Sequence, residues 1–281
     1  MRRLSFLLVL MLFWGAVRAE VIVHNRADDP KEQLVVDLLK LALSETGGEH
    51  EFRALPEFVD QARAVEMLDK GTLTVLWAGT TREYEEKLLP IRIPVDKGML
   101  GYRIFIIRKG DQALFDQVRN LDDLKRLRAG QGRFWGDTAV LKAAGLNVVT
   151  PVKYSSLFPM LAGNRFDYFP RAIHEPWSEV TAHKDLDLVV EKRILLVYPF
   201  AMYLFVAKDN QALARQIEKG FERAIADGSF DKLFYNLPVV RAAILDSDLK
   251  NRLVLRIPNP NMTQETPTQR KELWLDPTKL Q

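Results

Sequence analysis

Short strand-like runs alternate with helix-like ones from the first polar residues of the chain onward, and that alternation limits the fold more than anything else in the sequence. Residues 21–24 read as a strand, followed by a polar turn from Asn25 to Pro30. Leu34, Val35, Leu38, Leu39, Leu41 and Ala42 then share one face at helical spacing. Gly47 and Gly48 end that helix, and residues 49–55 read as a second strand. Asp60 is placed to cap a helix carrying Ala64, Val65, Met67 and Leu68, which stops at Gly71 ahead of a buried strand over 72–77. Such an order predicts an α/β protein whose parallel or mixed sheet is covered on both faces.

The alternation restarts near Gly101. Residues 102–108 read as a strand and 120–124 as a helix opening. Residues 130–135 form a strand-like approach to Gly136, after which Asp137 or Thr138 can cap a helix over 139–144. A short strand at 148–149, a helix at 155–161, the segment 166–169 and a helix after Trp177 follow. Strands are expected at 186–190 and 195–206. Leu213, Ile217, Phe221 and Ile225 then repeat every four residues, an amphipathic stripe broken at Gly228. From Pro258 the sequence is polar and proline-bearing, and reads as a tail laid over the surface.

The N-terminus has a different character. Met1-Arg2-Arg3 precedes an apolar run over 4–17 and then Arg18-Ala19-Glu20, the make-up of a secretory leader at residues 1–19 cut after Ala19. The run is shorter than the roughly 20 residues that span a bilayer. The chain has no cysteine, which excludes thiol catalysis and a lipid-modified cysteine. A cysteine-free exported chain of this length suits a bacterial periplasm better than a disulfide-stapled extracellular setting. Without Arg2, Arg3 and Arg18, the 40 basic residues fall to 37 against 37 acids, so no basic surface points to nucleic acid.

Four segments in order resemble the family-3 solute-binding proteins, the periplasmic components of polar amino acid uptake systems. Residues 63–82 resemble that family's helix, glycine, strand and site loop, here Ala78-Gly79-Thr80-Thr81-Arg82. Trp135-Gly136-Asp137-Thr138 resembles its second-lobe helix opening, and Gly163-Asn164-Arg165-Phe166-Asp167 the turn after the next helix. Residues 212–234 resemble its closing helix. The resemblance implies a two-lobed type-2 periplasmic-binding-protein fold, each lobe a mixed sheet flanked by helices, with a ligand cleft at the hinge. Lobe one would comprise residues 20–100 and 198–281 with the tail, and lobe two 101–197. It also implies a small-molecule ligand and a membrane partner, either an ABC-type permease or a sensor, for a protein expected to be a monomer.

Candidate ligand contacts follow from chemistry and position. Arg82, after Thr80 and Thr81, offers a planar fork for a carboxylate, unless it pairs on the surface with Glu83 or Glu85. Asp137 and Thr138 open a helix whose free N–H groups attract anions, although capping accounts for both. Trp135 either stacks on ligand or packs in the core. Arg171, after Pro170, either meets the ligand or pairs with Glu175, and it stands where such proteins often place an acid. Tyr168, Tyr154, Trp77 and Trp177 are aromatic candidates for the cleft, and Arg26 lies in a loop that this fold turns toward ligand. The expected ligand is small, polar and carboxylate-bearing. No nucleophile elbow, phosphate loop or metal-ligand spacing among the four histidines appears, so neither cofactor nor metal is expected and no enzyme activity is supported. An enzyme on the same fold is the remote alternative.

Overall fold

The helix-period and strand-period runs fold in the order their patterning requires. The computed structural model describes residues 19–275, and the expected leader lies outside them except for Ala19. The first lobe begins with β1 (Glu20–His24), α1 (Pro30–Ser44), β2 (His50–Ala54), α2 (Gln61–Asp69), β3 (Leu76–Gly79), α3 (Arg82–Lys87) and β4 (Leu89–Ile91). The chain then builds β5 (Tyr102–Arg108), α4 (Gln112–Asp116), α5 (Leu121–Lys125), β6 (Arg128–Gly130), α6 (Gly136–Ala143) and β7 (Asn147–Val149). The second lobe continues with α7 (Leu157–Ala162), β8 (Phe169–Ala172), α8 (Pro176–Ala182), β9 (Leu188–Val190) and β10 (Ile194–Val197). The return carries β11 (Met202–Val206), α9 (Gln211–Ala226), α10 (Ser229–Asn236), α11 (Pro238–Asp246) and β12 (Leu253–Arg256).

Both lobes use one strand arrangement. In the first, β1 runs parallel to β2, a bridge from His24 to Val75 joins β1 to the entry of β3, and β11 lies antiparallel between β3 and β4. In the second, β6 is parallel to β7, a bridge from Ala129 to Tyr168 joins β6 to β8, and β5 lies antiparallel to β8. The far side of β5 pairs with β10 at its start and β9 at its end. Helices cover both sheets, as the alternation predicts. Leu34, Leu38, Leu39 and Ala42 of α1 and Leu213, Ile217 and Phe221 of α9 are buried in the first core. Ala224, one residue before the Ile225 of the expected stripe, completes the buried face of α9.

The structure departs from the expected boundaries: the strand expected over 72–77 is β3 at 76–79, the strand-like run 130–135 follows β6 rather than forming it, and the strand expected over 186–190 begins at 188. Three departures go further. The run 195–206 is not one strand: it splits into β10 and β11, one in each lobe, with the crossing at 198–201 between them. That crossing runs beside the first, where Tyr198 N–H donates to Gly101 O at 3.0 Å. Gly101 is required there, because a Cβ would lie 2.0 Å from Tyr198 O. Residues 253–256, expected with the first lobe, extend the second lobe's sheet as β12, parallel to β10. The tail is also more than a surface covering. Ile257, Leu273 and Leu275 are buried, Ile257 N–H donates to Val197 O at 3.0 Å, and Leu275 N–H to Lys97 O at 2.7 Å.

Candidate functional site

The lobes meet around a cavity of about 870 Å³. Loop 25–29, the first turn of α1 and the end of β3 supply one wall, and β5, the turn before α6, β8 and α8 supply the other. The lobes touch beside it: a Cβ on Gly136 would lie 2.7 Å from Thr81 Cγ2 and 3.2 Å from Gly79 O, so any other residue at the start of α6 would push Thr81 aside. Tyr84 OH donates to Phe134 O at 3.3 Å, and Lys31 Nζ reaches Glu179 at 2.8 Å, both from lobe to lobe.

The second lobe's wall is a chain of buried ion pairs. Arg171 on β8 donates through Nη2 to Glu175 Oε1 at 2.8 Å and Glu179 Oε1 at 2.7 Å, and through Nε to Glu179 Oε2 at 2.8 Å. Positions 175 and 179 lie one helical turn apart, so both carboxylates face the same cation. The guanidinium lies over Trp135 and Phe169, 4.9 and 4.8 Å from their ring centres, where the ring faces attract it. Glu175 Oε2 also accepts the Ala172 N–H at 2.7 Å and faces Arg103 Nη1 at 3.4 Å. Arg103 continues the chain to Asp137 at 2.7 Å, which accepts further bonds from Gln131 Nε2 and Tyr198 OH. Tyr154 OH donates to Glu179 at 2.6 Å. Burial would raise the carboxyl of Glu179, but Arg171 and Lys31 outweigh it and hold it at about 2. His174, within this wall, is fully buried, and burial lowers its imidazole to about 4.

The first lobe's wall is arranged differently. Asp29 caps α1 by accepting the Lys31 N–H at 3.0 Å, which sets Lys31 and Glu32 in the first turn at the cavity. Glu32 accepts a hydrogen bond from Trp77 Nε1, and no ion pair involving it occurs among the described residues. Burial pushes its carboxyl up, against the pull of Lys31.

Of the residues expected at the ligand, Arg26, Trp135, Asp137, Arg171 and Glu175 line the cavity, as do Tyr154 and Trp77. Arg26 is held by Asp28 at the exposed end. Asp137 is not a cap: α6 starts at Gly136 with Trp135 before it, and the carboxylate turns instead to Arg103. Thr138 is buried and donates to Gly132 O at 2.6 Å. Thr80 donates to Glu85 at 2.7 Å, and Thr81 caps α3 by accepting the Tyr84 N–H at 3.1 Å. Arg82, the first residue of α3, points away from the cavity lining and donates to Met262 O at 3.1 Å. Tyr168 lies in the second core, its ring 4.6 Å from Phe105. Trp177 donates to Ile173 O at 2.8 Å outside the lining. Lys31, Glu32, Arg103 and Glu179 were not foreseen. The equal spacing of 171, 175 and 179 was the readable trace of the network, whereas Arg103 inside an apolar strand left none.

No family model matches the chain, and no curated protein matches it in sequence. Solved structures do match it. An ancestral arginine-binding protein bound to arginine is 20% identical with a TM-score of 0.59, over 79% of this chain and 99% of that one. The fold is that of the type-2 periplasmic binding proteins. A Salmonella typhimurium periplasmic binding protein with high arginine specificity shares this periplasmic-binding-protein fold, at 15% identity and a TM-score of 0.56 over 76% of this chain and 97% of that one. So does an ancestral amino acid-binding protein described as a precursor of cyclohexadienyl dehydratase, at 16% identity, a TM-score of 0.54 and 77% and 95% coverage. Among the described residues no helix is long and apolar enough to cross a membrane.

Proposed function

We propose that the protein captures a small solute between its lobes and closes on it by a hinge at the two paired crossings, in the cell envelope, for an ABC-type permease in the membrane. The observation that carries this reading is the cavity of about 870 Å³, lined from both lobes and bordered by contacts between them. Solutes that touch both lobes favour the closed form, because only differential contact shifts such an equilibrium. The ligands bound in similar structures, arginine and glutamine, support an amino acid or related polar solute. The expectation of a carboxylate on the ligand has lost its two anchors: Arg82 lies elsewhere, and Arg171 is consumed by Glu175 and Glu179. Native mass spectrometry of freshly purified protein, with a solute-library thermal-shift screen and small-angle scattering, tests the reading. It expects a bound small molecule, a raised Tm and a smaller radius of gyration. No retained mass and no shift across amino acids, amines and carboxylates would sink it.

One observation favours a second reading, an enzyme on the same fold. Glu32, a cavity-lining carboxyl held against Trp77 and raised by burial, is the candidate acid–base group. Turnover of the retained solute by purified protein would bring that reading forward.

A further inference from the structure

Charge inside the cavity points to the kind of solute. The buried cations on its walls, Arg103, Arg171 and Lys31, each lie within 2.8 Å of a carboxylate. Glu32 is a carboxylate at the same cavity that accepts from an indole N–H and, among the described residues, forms no ion pair, with Lys31 next to it in sequence pulling on it from a distance. Beside it stands the indole of Trp77, a ring of the kind whose face attracts organic cations, whereas Trp135 and Tyr154 across the cleft already face Arg171 and, for Tyr154, Lys31. Arg133 and Lys153 also border the cavity, but both are exposed and keep their water.

Size and polarity point the same way. Roughly 300–1,000 Å³ is the volume of pockets that bury drug-sized ligands, and this cavity, at about 870 Å³, lies near the upper end. Its mouth carries Phe58, Val152 and Phe134, which are 67%, 47% and 41% exposed and come from both lobes. Exposed apolar side chains gathered at one opening are a recognised mark of a binding surface.

We propose that the cavity takes an organic cation larger than a free amino acid, its amine against Glu32 and its apolar body against the mouth formed by Phe58, Phe134 and Val152. This deepens the solute-capture reading and rests on it. No carboxylate on the solute is needed to balance Arg103 and Arg171, because each already faces a carboxylate, although the Arg103 Nε–H itself has no partner.

The test is calorimetric titration of the full mature chain with three probes: phenethylamine, phenylalanyl-phenylalaninamide and N-acetyl-phenylalanyl-phenylalanine. The expected order puts the dipeptide amide tightest, phenethylamine weaker, and the anionic acetylated dipeptide at least tenfold weaker than the amide. Glu32→Gln should weaken the amide at least tenfold while the Tm stays at or above that of the parent. Glu32→Asp, keeping the charge, should recover part of the binding. Equal or tighter binding of the anionic probe overturns the inference, as does unchanged amide affinity in Glu32→Gln. Failure of all three probes alongside a library hit on an anionic or small solute overturns it and leaves the capture reading standing. Failure of the probes together with the whole library takes both down.

Discussion

On the second lobe's wall Arg103 and Arg171 are answered by Asp137, Glu175 and Glu179, whereas on the first lobe's wall Glu32 rests against a single indole N–H. Both walls bring charge out of bulk water, which is costly unless partners replace the lost hydration. The second lobe supplies those partners from α6 and from α8 and the residue before it, so its charges hold the wall's shape. The first lobe leaves part of the cost standing. A charge that the fold does not satisfy is one that a ligand can satisfy, and this separates the structural residues from the receptive one better than charge or location does.

The largest break in this comparison comes from Arg171→Met, which takes from Glu175 and Glu179 the cation they share and leaves Glu179 with Lys31 and Tyr154 and Glu175 with Arg103 at 3.4 Å. Urea unfolding near neutral pH should show a loss of about 3–5 kcal/mol, the usual result of removing one partner from a buried pair. A smaller loss would mean that water enters the wall and screens the acids.

Acid sharpens the same point. His174 has its imidazole lowered to about 4 by burial, with Lys31, Arg103 and Arg171 adding to the effect and Glu175 opposing it. The unfolded chain therefore takes up its proton first, and stability falls as pH drops from about 6.5 toward 4, by on the order of 3 kcal/mol. Stability that Glu179 contributes is present above its unfolded value and is lost as pH falls on through about 2. Unfolding curves taken from pH 7 downward should show the upper part of this slope flattened in His174→Gln.

Glu32→Gln should act in the opposite sense. It removes a charge disfavoured by burial while Oε1 still accepts from Trp77, so the Tm should hold or rise, by no more than about 1 kcal/mol in stability. A clear drop would show that Glu32 is part of the structural network after all. The smallest effect belongs to Arg82→Ala, whose guanidinium holds only an exposed carbonyl. Thermal unfolding should change by less than about 0.5 kcal/mol, with ligand affinity unaltered.

Periodicity made the layers of the fold readable, because α1 and α9 bury the faces their spacing marked and Asp60 caps α2 as its position implied. Local pattern could not separate β10 from β11, since a strand that changes lobes at 198–201 stays apolar throughout. It also could not place β12, whose partner β10 is about sixty residues distant in sequence. At the site, aromatic residues such as Trp135 and Tyr154 were legible as candidates. Arginines were legible only as alternatives, because their roles depend on which carboxylates arrive: Arg171 takes the Glu175 pairing that was one of its two readings and adds Glu179, whereas Arg82 has neither Glu83 nor Glu85 as its partner and holds Met262 O instead. Lys31 and Glu32 stand at an ordinary helix start, and only contacts from distant segments, Glu179 for Lys31 and Trp77 for Glu32, distinguish them.

The segment after β12 bears on how wide the mouth can gape. β12 is fixed in the second lobe's sheet, while Met262 O and Thr263 Oγ1 are tied to Arg82 and Glu85 of the first. Between these moorings run only residues 257–263, a leash whose full stretch is roughly 20 Å. Part of that slack is taken up where Asn259 donates to Pro199 O and Asn261 to Gly136 O. A solute that outgrows the aperture this leash permits would be refused at the threshold, before any contact inside could choose it.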